Sequence, residues 1–267
     1  MKIVTPNILV IGNEIFDIGA PVGKPNPPAA AAKYEADVEA LFQKIKSRPF
    51  GVEWLEIVGN NPEPIIIVPS TATDNAAAET MPNIAQKPNR LADAQNGTGT
   101  TGRVKFHVYA NLGFGSGGVS GEVLLIHEIT HAYRSANGRL SPLPMAQFVN
   151  PDSLKMNMEL ASRFGNFEEW LAIVVENVFA SQAGRSFVRT SWDMLLPSSA
   201  TNPYYFKFWG ISTVGTRDDS QQFAHDYRPG ITRLLKVEPR LFRAMETTQA
   251  WFNPVRDYVS QILSSRL

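Results

Sequence analysis

The sequence predicts an α+β protein: a small mixed sheet with an edge strand, an active-site helix, and a mostly helical C-terminal lobe. Three observations predict it. Short apolar runs bounded by turn residues recur through the first seventy positions. A clean alternation occupies residues 103–109, just before a helical stretch. After Asn166 the apolar residues recur at helical spacing, with prolines dividing one segment from the next. At 267 residues the chain is long enough for a sizeable core. It is read as one domain over 1–267, with an N-terminal α/β lobe (1–120) and a mainly helical lobe (121–267).

Residues 1–20 read as two short strands around Ile8–Ile11, with Gly12-Asn13 as a turn. Val38, Leu41, Phe42 and Ile45 mark a helix from Lys33 to Ser47 that Pro49 ends; Trp54, Leu55 and Val58 mark a second. Ile65 to Val68 is a buried strand, closed by Pro69. Residues 70–102, rich in Thr, Ala, Asn, Pro and Gly, read as a long flexible loop, either a flap beside the active site or a surface excursion. In 103–109, Val104, Phe106 and Val108 alternate with Arg103, Lys105, His107 and Tyr109, as expected of a half-exposed edge strand along which a peptide could pair. His107 then lies on the solvated face. Gly113–Gly118 lacks the ending of a phosphate loop and reads as a lead-in to the next helix.

That helix, about Gly121 to Ala136 with Asn137-Gly138 as its stop, carries His127-Glu128-Ile129-Thr130-His131. Residues four apart share a helix face, so both imidazoles can grip one zinc ion. Glu128, one step round from His127, can reach a metal-activated water without ligating the ion. At ordinary His and Glu frequencies the pattern arises by chance in on the order of one chain of this length in a hundred. Two of only four histidines fall here. With no cysteine in the chain, any zinc must be held by nitrogen and oxygen.

A catalytic zinc takes three protein ligands and keeps a position for water. Arg134 and Asn137 stand where an HExxHxxGxxH site has its glycine and third histidine, which excludes that class. The helix starting at Asn166 offers Glu169, followed one turn later by the small Ala172. Glu169 is the first choice. Asn166 and Glu169 also have the spacing of a capping box, in which case Glu168 takes the ligand role. Glu176 reads as a support behind the ligands or as a surface charge. Asp218, in Gly215-Thr216-Arg217-Asp218, is a rival ligand from a partial aspartate-type element.

Leu125–Arg134 together with Asn166–Phe179 resembles the NleD-like effector metalloproteases, small zinc proteases of bacterial pathogens and symbionts. Asn96-Gly97-Thr98-Gly99 before a strand and Gly184-Arg185 after the second helix add to the likeness, which covers roughly residues 95–190. The resemblance implies a zincin-like fold and a glutamate-zincin that cleaves proteins inside a target cell. Residues 1–90 and those beyond about 200 carry no family signal.

The mechanism that follows is metal-assisted peptide hydrolysis, with His127, His131 and Glu169 holding zinc and Glu128 as general base. An oxyanion stabiliser is sought in His225 and Tyr227, then Tyr204 and Tyr205. The alternative is a zincin-scaffold binding protein without turnover. A third possibility is a host-interaction protein whose HExxH is accidental.

Twenty-five basic residues balance twenty-five acidic ones, so no footprint for nucleic acid or an anionic membrane exists. No apolar run is long enough to span a bilayer. The expected partner is a protein or peptide substrate of a monomeric enzyme. The N-terminus makes a poor secretory signal, so delivery into a target cell by a specialised route is the expectation, with a cytoplasmic life as the alternative.

Overall fold

The computed structural model describes residues 1–17, 22–71, 78–82, 90–108, 120–153, 160–161, 163–185, 189 and 217–265. It is a mixed α+β protein that divides into two compact units, Met1–Leu140 and Ser141–Leu267.

The first unit is built on a seven-stranded mixed sheet. Its strands are β1 (Lys2–Thr5), β2 (Ile8–Val10), β3 (Glu14–Asp17), β4 (Lys24–Pro25), β5 (Ile65–Thr71), β6 (Ala78–Pro82) and β7 (Gly102–Phe106). Strand β5 is the spine: β2, β3 and β7 all run parallel to it, while β1, β4 and β6 add antiparallel on β2, β3 and β7. Ile8, Val10, Ile65, Ile67, Val104 and Phe106 are fully buried. Helices α1 (Pro28–Lys46), α2 (Pro49–Val58), the short α3 (Arg90–Asp93) and α4 (Gly121–Ala136) complete the unit. Pro28 and Pro49 occupy the first helical turn, where a missing N–H costs nothing. So α1 starts earlier than Lys33, and Pro49 opens α2 as well as ending α1.

Two sequence expectations change in strands β1 to β5. The N-terminal segment forms three strands before Pro21, not two. Pro69 does not close β5, which continues to Thr71. Ile65 N–H donates to Asn7 and Ile67 accepts from Ile11, so odd positions of β5 address the β2 side. Pro69 falls where the neighbour on that side changes from β2 to β3, which next pairs at Ser70. The donor that proline lacks has no ladder to serve there.

Residues 70–102 are not one loop, because β6 and α3 lie inside it. Nor is β7 a half-exposed edge, since it is flanked by β5 and β6. Lys105, which made the strand read as amphipathic, is 1% exposed, and its ammonium donates to Glu79 on β6 at 3.0 Å. Glu79 and Lys105 are direct cross-strand partners, so pairing satisfies the buried charge. Among the described residues, the edge on this side of the sheet is β6. Tyr109 and Gly113–Gly118 lie outside the described residues.

In the second unit, residues 145–147 form a 3₁₀ turn, followed by α5 (Phe167–Gln182), α6 (Arg217–Asp226), α7 (Arg228–Val237), α8 (Pro239–Thr247) and α9 (Pro254–Ser264). Pro239 and Pro254 open their helices, so each is a start signal as well as a break. The core is aromatic: Phe164, Phe223 and Tyr227 pack mutually, Trp170 stacks on Phe167, and Phe148 closes on Phe167. Among the described residues, no helix is long and apolar enough to cross a membrane.

Candidate metal centre

Helix α4 is laid against the sheet by small residues. A Cβ on Gly102 of β7 would come within 2.7 Å of the Ala132 methyl, so glycine there lets the strand and the helix approach. The helix ends as the sequence predicts. Gly138 takes φ +65°, its N–H donates to Ser135, and Arg139 N–H donates to Arg134, a complete Schellman stop. Gly97 N–H and Thr100 N–H then bond to Gly138 and Ser135, seating the Asn96–Gly99 segment on the helix end. Arg134 is buried, its guanidinium donating to the Arg139 carbonyl, which leaves it a structural residue.

With the helix fixed, His127 and His131 face each other. Their Nε2 atoms are 3.2 Å apart and their rings lie edge to face, with centroids 4.8 Å apart. Two Zn–N bonds of about 2.0–2.1 Å at a tetrahedral angle separate the nitrogens by about 3.3 Å. The pair therefore already has the spacing of two ligands of one zinc ion. Imidazole nitrogens and a carboxylate are also the donor set that a cysteine-free zinc site uses, so the residues fit the metal.

Glu128 is buried beside them, and its carboxylate is held. The Thr80 hydroxyl on β6 lies 2.7 Å from Glu128 Oε2 and 2.9 Å from the Glu128 carbonyl oxygen. Thr80 pairs with Val104 in the ladder, which turns its side chain to the same sheet face as buried Val104. Sequence reasoning missed Thr80. A lone threonine in a Thr- and Ala-rich stretch gives no signal until β6 is known to be a strand.

In the second unit, the acidic residues of α5 part ways. Asn166 caps the helix by accepting from Glu169 N–H at 3.1 Å, the N-cap bond that the spacing predicts. The Asn166 N–H donates to the Phe164 carbonyl. Glu168 is buried, with Oε1 accepting from Ser141 N–H at 2.6 Å. Glu176 is fully buried, 2.8 Å from the Arg189 guanidinium, while the Asn177 amide clamps the Arg189 backbone from both sides. It is therefore not a surface charge.

Among the described residues, one group of histidine and acidic side chains can offer ligand atoms to a single ion. It consists of His127, His131 and Glu169, one atom of each lying within 4.8 Å of the others.

The remaining candidates are placed as follows. His225, near the end of α6, is half exposed; Asn150 donates to its carbonyl, and Asp226 lies 3.4 Å from its Nδ1. Tyr227 is buried and donates its hydroxyl to the Leu160 carbonyl at 3.0 Å. Tyr204, Tyr205 and the Asp218 side chain lie outside the described residues. His107 follows β7, and desolvation pushes its pKa down.

No family model matches the chain, and no curated protein matches it by sequence. Among solved structures it is similar to one titled "Structure of Botulinum Neurotoxin Serotype HA Light Chain". The identity is 14% and the TM-score 0.37, over 84% of this chain and 67% of that one. A likeness this distant carries no argument about fold or chemistry.

Proposed function

We propose that the chain is a zinc-dependent endopeptidase that hydrolyses peptide bonds of protein substrates, a single zincin-like catalytic domain of the NleD-like effector kind. The observation that carries the reading is the His127–His131 pair at ligand spacing, with Glu128 held beside it. His127 and His131 hold the metal and Glu169 completes the set. Zinc, when bound, supplies a Lewis acid for the scissile carbonyl and the attacking water. Glu128 takes a proton from that water on its carboxylate and hands it to the leaving amine.

His225, with its ring partly in solvent, is the first choice to stabilise the oxyanion, ahead of Tyr227, whose hydroxyl is engaged by Leu160. The substrate is a peptide or protein, and it pairs along β6, one strand further out than the sequence alone suggested. The protein works as a monomer on proteins of a target cell after secretion or delivery, with no role for nucleic acid or membrane.

Elemental analysis of wild type, His127→Ala and Glu169→Ala, with labelled casein as substrate, tests this reading. One zinc per chain in wild type, lost in both variants, is the expected result. No zinc in wild type even after metal is added back, or full hydrolysis by Glu128→Gln, overturns it.

A further inference from the structure

The geometry points to Thr80 as a positioning residue for the general base, an inference that rests on the peptidase reading above. A carboxylate that shuttles a proton must present one oxygen to the water in a fixed direction, and a misplacement of about 1 Å can cost a hundredfold in rate. Glu128 sits on a helix flank with three rotatable bonds between its backbone and the carboxyl carbon, so the helix alone does not set that direction.

Thr80 does. Its Oγ1 lies 2.7 Å from Glu128 Oε2, and the same hydroxyl is 2.9 Å from the Glu128 carbonyl oxygen. The hydroxyl has one proton to donate, and the shorter contact gives it to the carboxylate, with the carbonyl oxygen close enough to share it. The hydroxyl occupies Oε2, so the oxygen assigned to the water is Oε1. Threonine suits the task because its branched Cβ restricts χ1 in a strand, so the hydroxyl is itself held. β6 delivers it through register, since Thr80 is opposite Val104 and thus on the face that α4 covers.

The placement also joins two functions in one strand. The edge to which a substrate backbone would add carries the residue that aims the base. Glu79, the neighbour on the other face, fastens that strand to β7 through buried Lys105.

The test compares Thr80→Val, which keeps the branched shape and loses the hydroxyl, with Thr80→Ser, which keeps the hydroxyl. Wild type, both variants and Glu128→Gln are assayed for zinc content, melting temperature and labelled-casein hydrolysis over a range of casein concentrations. Crystal structures of zinc-loaded wild type and Thr80→Val accompany the assays. The expected result is full zinc in every variant and an unchanged melting temperature for Thr80→Val. Its kcat falls roughly 10- to 100-fold with KM nearly constant, Thr80→Ser recovers most of that, and the Glu128 carboxylate leaves its wild-type rotamer in Thr80→Val.

An unchanged kcat in Thr80→Val, or a Glu128 rotamer the same in both crystals, overturns the assignment. An inactive wild type would sink the peptidase reading instead, and the crystal comparison would still decide whether Thr80 aims the carboxylate.

Discussion

Helices α4 and α5 are twins in form. Each has sixteen residues, and each is buried along nearly its whole length. Apart from the terminal residues Gly121, Glu122 and Gln182, the positions that escape burial are His131 in α4 and Glu169 in α5. The ionisable residues of the two helices are nevertheless handled differently. In α4 the three at its middle are arranged toward one another: His127 against His131, and Glu128 alongside, steadied by Thr80, while Arg134 at the helix end has a structural partner in Arg139. In α5 the buried ones are each given a separate structural partner, Glu168 to Ser141 and Glu176 to Arg189. Converging side chains on a buried helix mark chemistry; side chains each given their own partner mark architecture. Glu169 is the α5 residue whose carboxylate lies with His127 and His131.

The sharpest way to break the comparison is to remove function from α4 without touching its fold. Glu128→Gln should lower casein turnover by about 10²- to 10⁴-fold, the usual worth of a general base, with zinc content unchanged. A matching change in α5 should do the reverse. Glu176→Gln leaves the Arg189 guanidinium without its buried counter-charge and should cost about 3 kcal/mol in a urea titration, with zinc still bound. Should Glu176→Gln lose zinc at full stability, the division between the helices fails.

A finer cut runs within the first turn of α5. Glu168→Ala orphans the Ser141 N–H and should cost about 1–2 kcal/mol while keeping zinc. Glu169→Ala should lose zinc with little change in melting temperature. The smallest effect is a pH dependence belonging to the first unit. The folded-state pKa of His107 lies below the ordinary value of about 6.5 because of desolvation. The unfolded chain therefore takes up the proton first, and stability is whole above about pH 6.5 and declines as the pH falls through the window beneath it. Melting temperatures between pH 5 and 7 should show that decline in wild type and a flatter one in His107→Asn.

Much of α4 was legible in the sequence because its information is local. The four-residue histidine spacing, the Asn137-Gly138 stop and the apolar flanks sit within eighteen residues, and the helix runs from Gly121 to Ala136 as read. What resisted reading was non-local. Ala78-Glu79-Thr80-Met81-Pro82 has the composition of a loop and becomes a strand because β7 offers it a ladder. Lys105 read as a solvent-facing residue because a buried lysine looks like any other until its Glu79 partner is found across that ladder. Pro69 read as a terminator because the change of neighbour that tolerates it is a property of the sheet. On α5, no spacing rule tells Glu168 from Glu169; what separates them is an N–H twenty-seven residues upstream.

Burial of Lys105 under its ion pair also gives the molecule a built-in reporter. An amine sealed between β6 and β7 is beyond the reach of acylating reagents while the two strands stay zipped. The pace at which Lys105 is tagged, followed by mass spectrometry of the digested chain, would therefore time how often the outermost strand peels away. That strand carries Thr80, so the same clock would show how often the Glu128 carboxylate is let go.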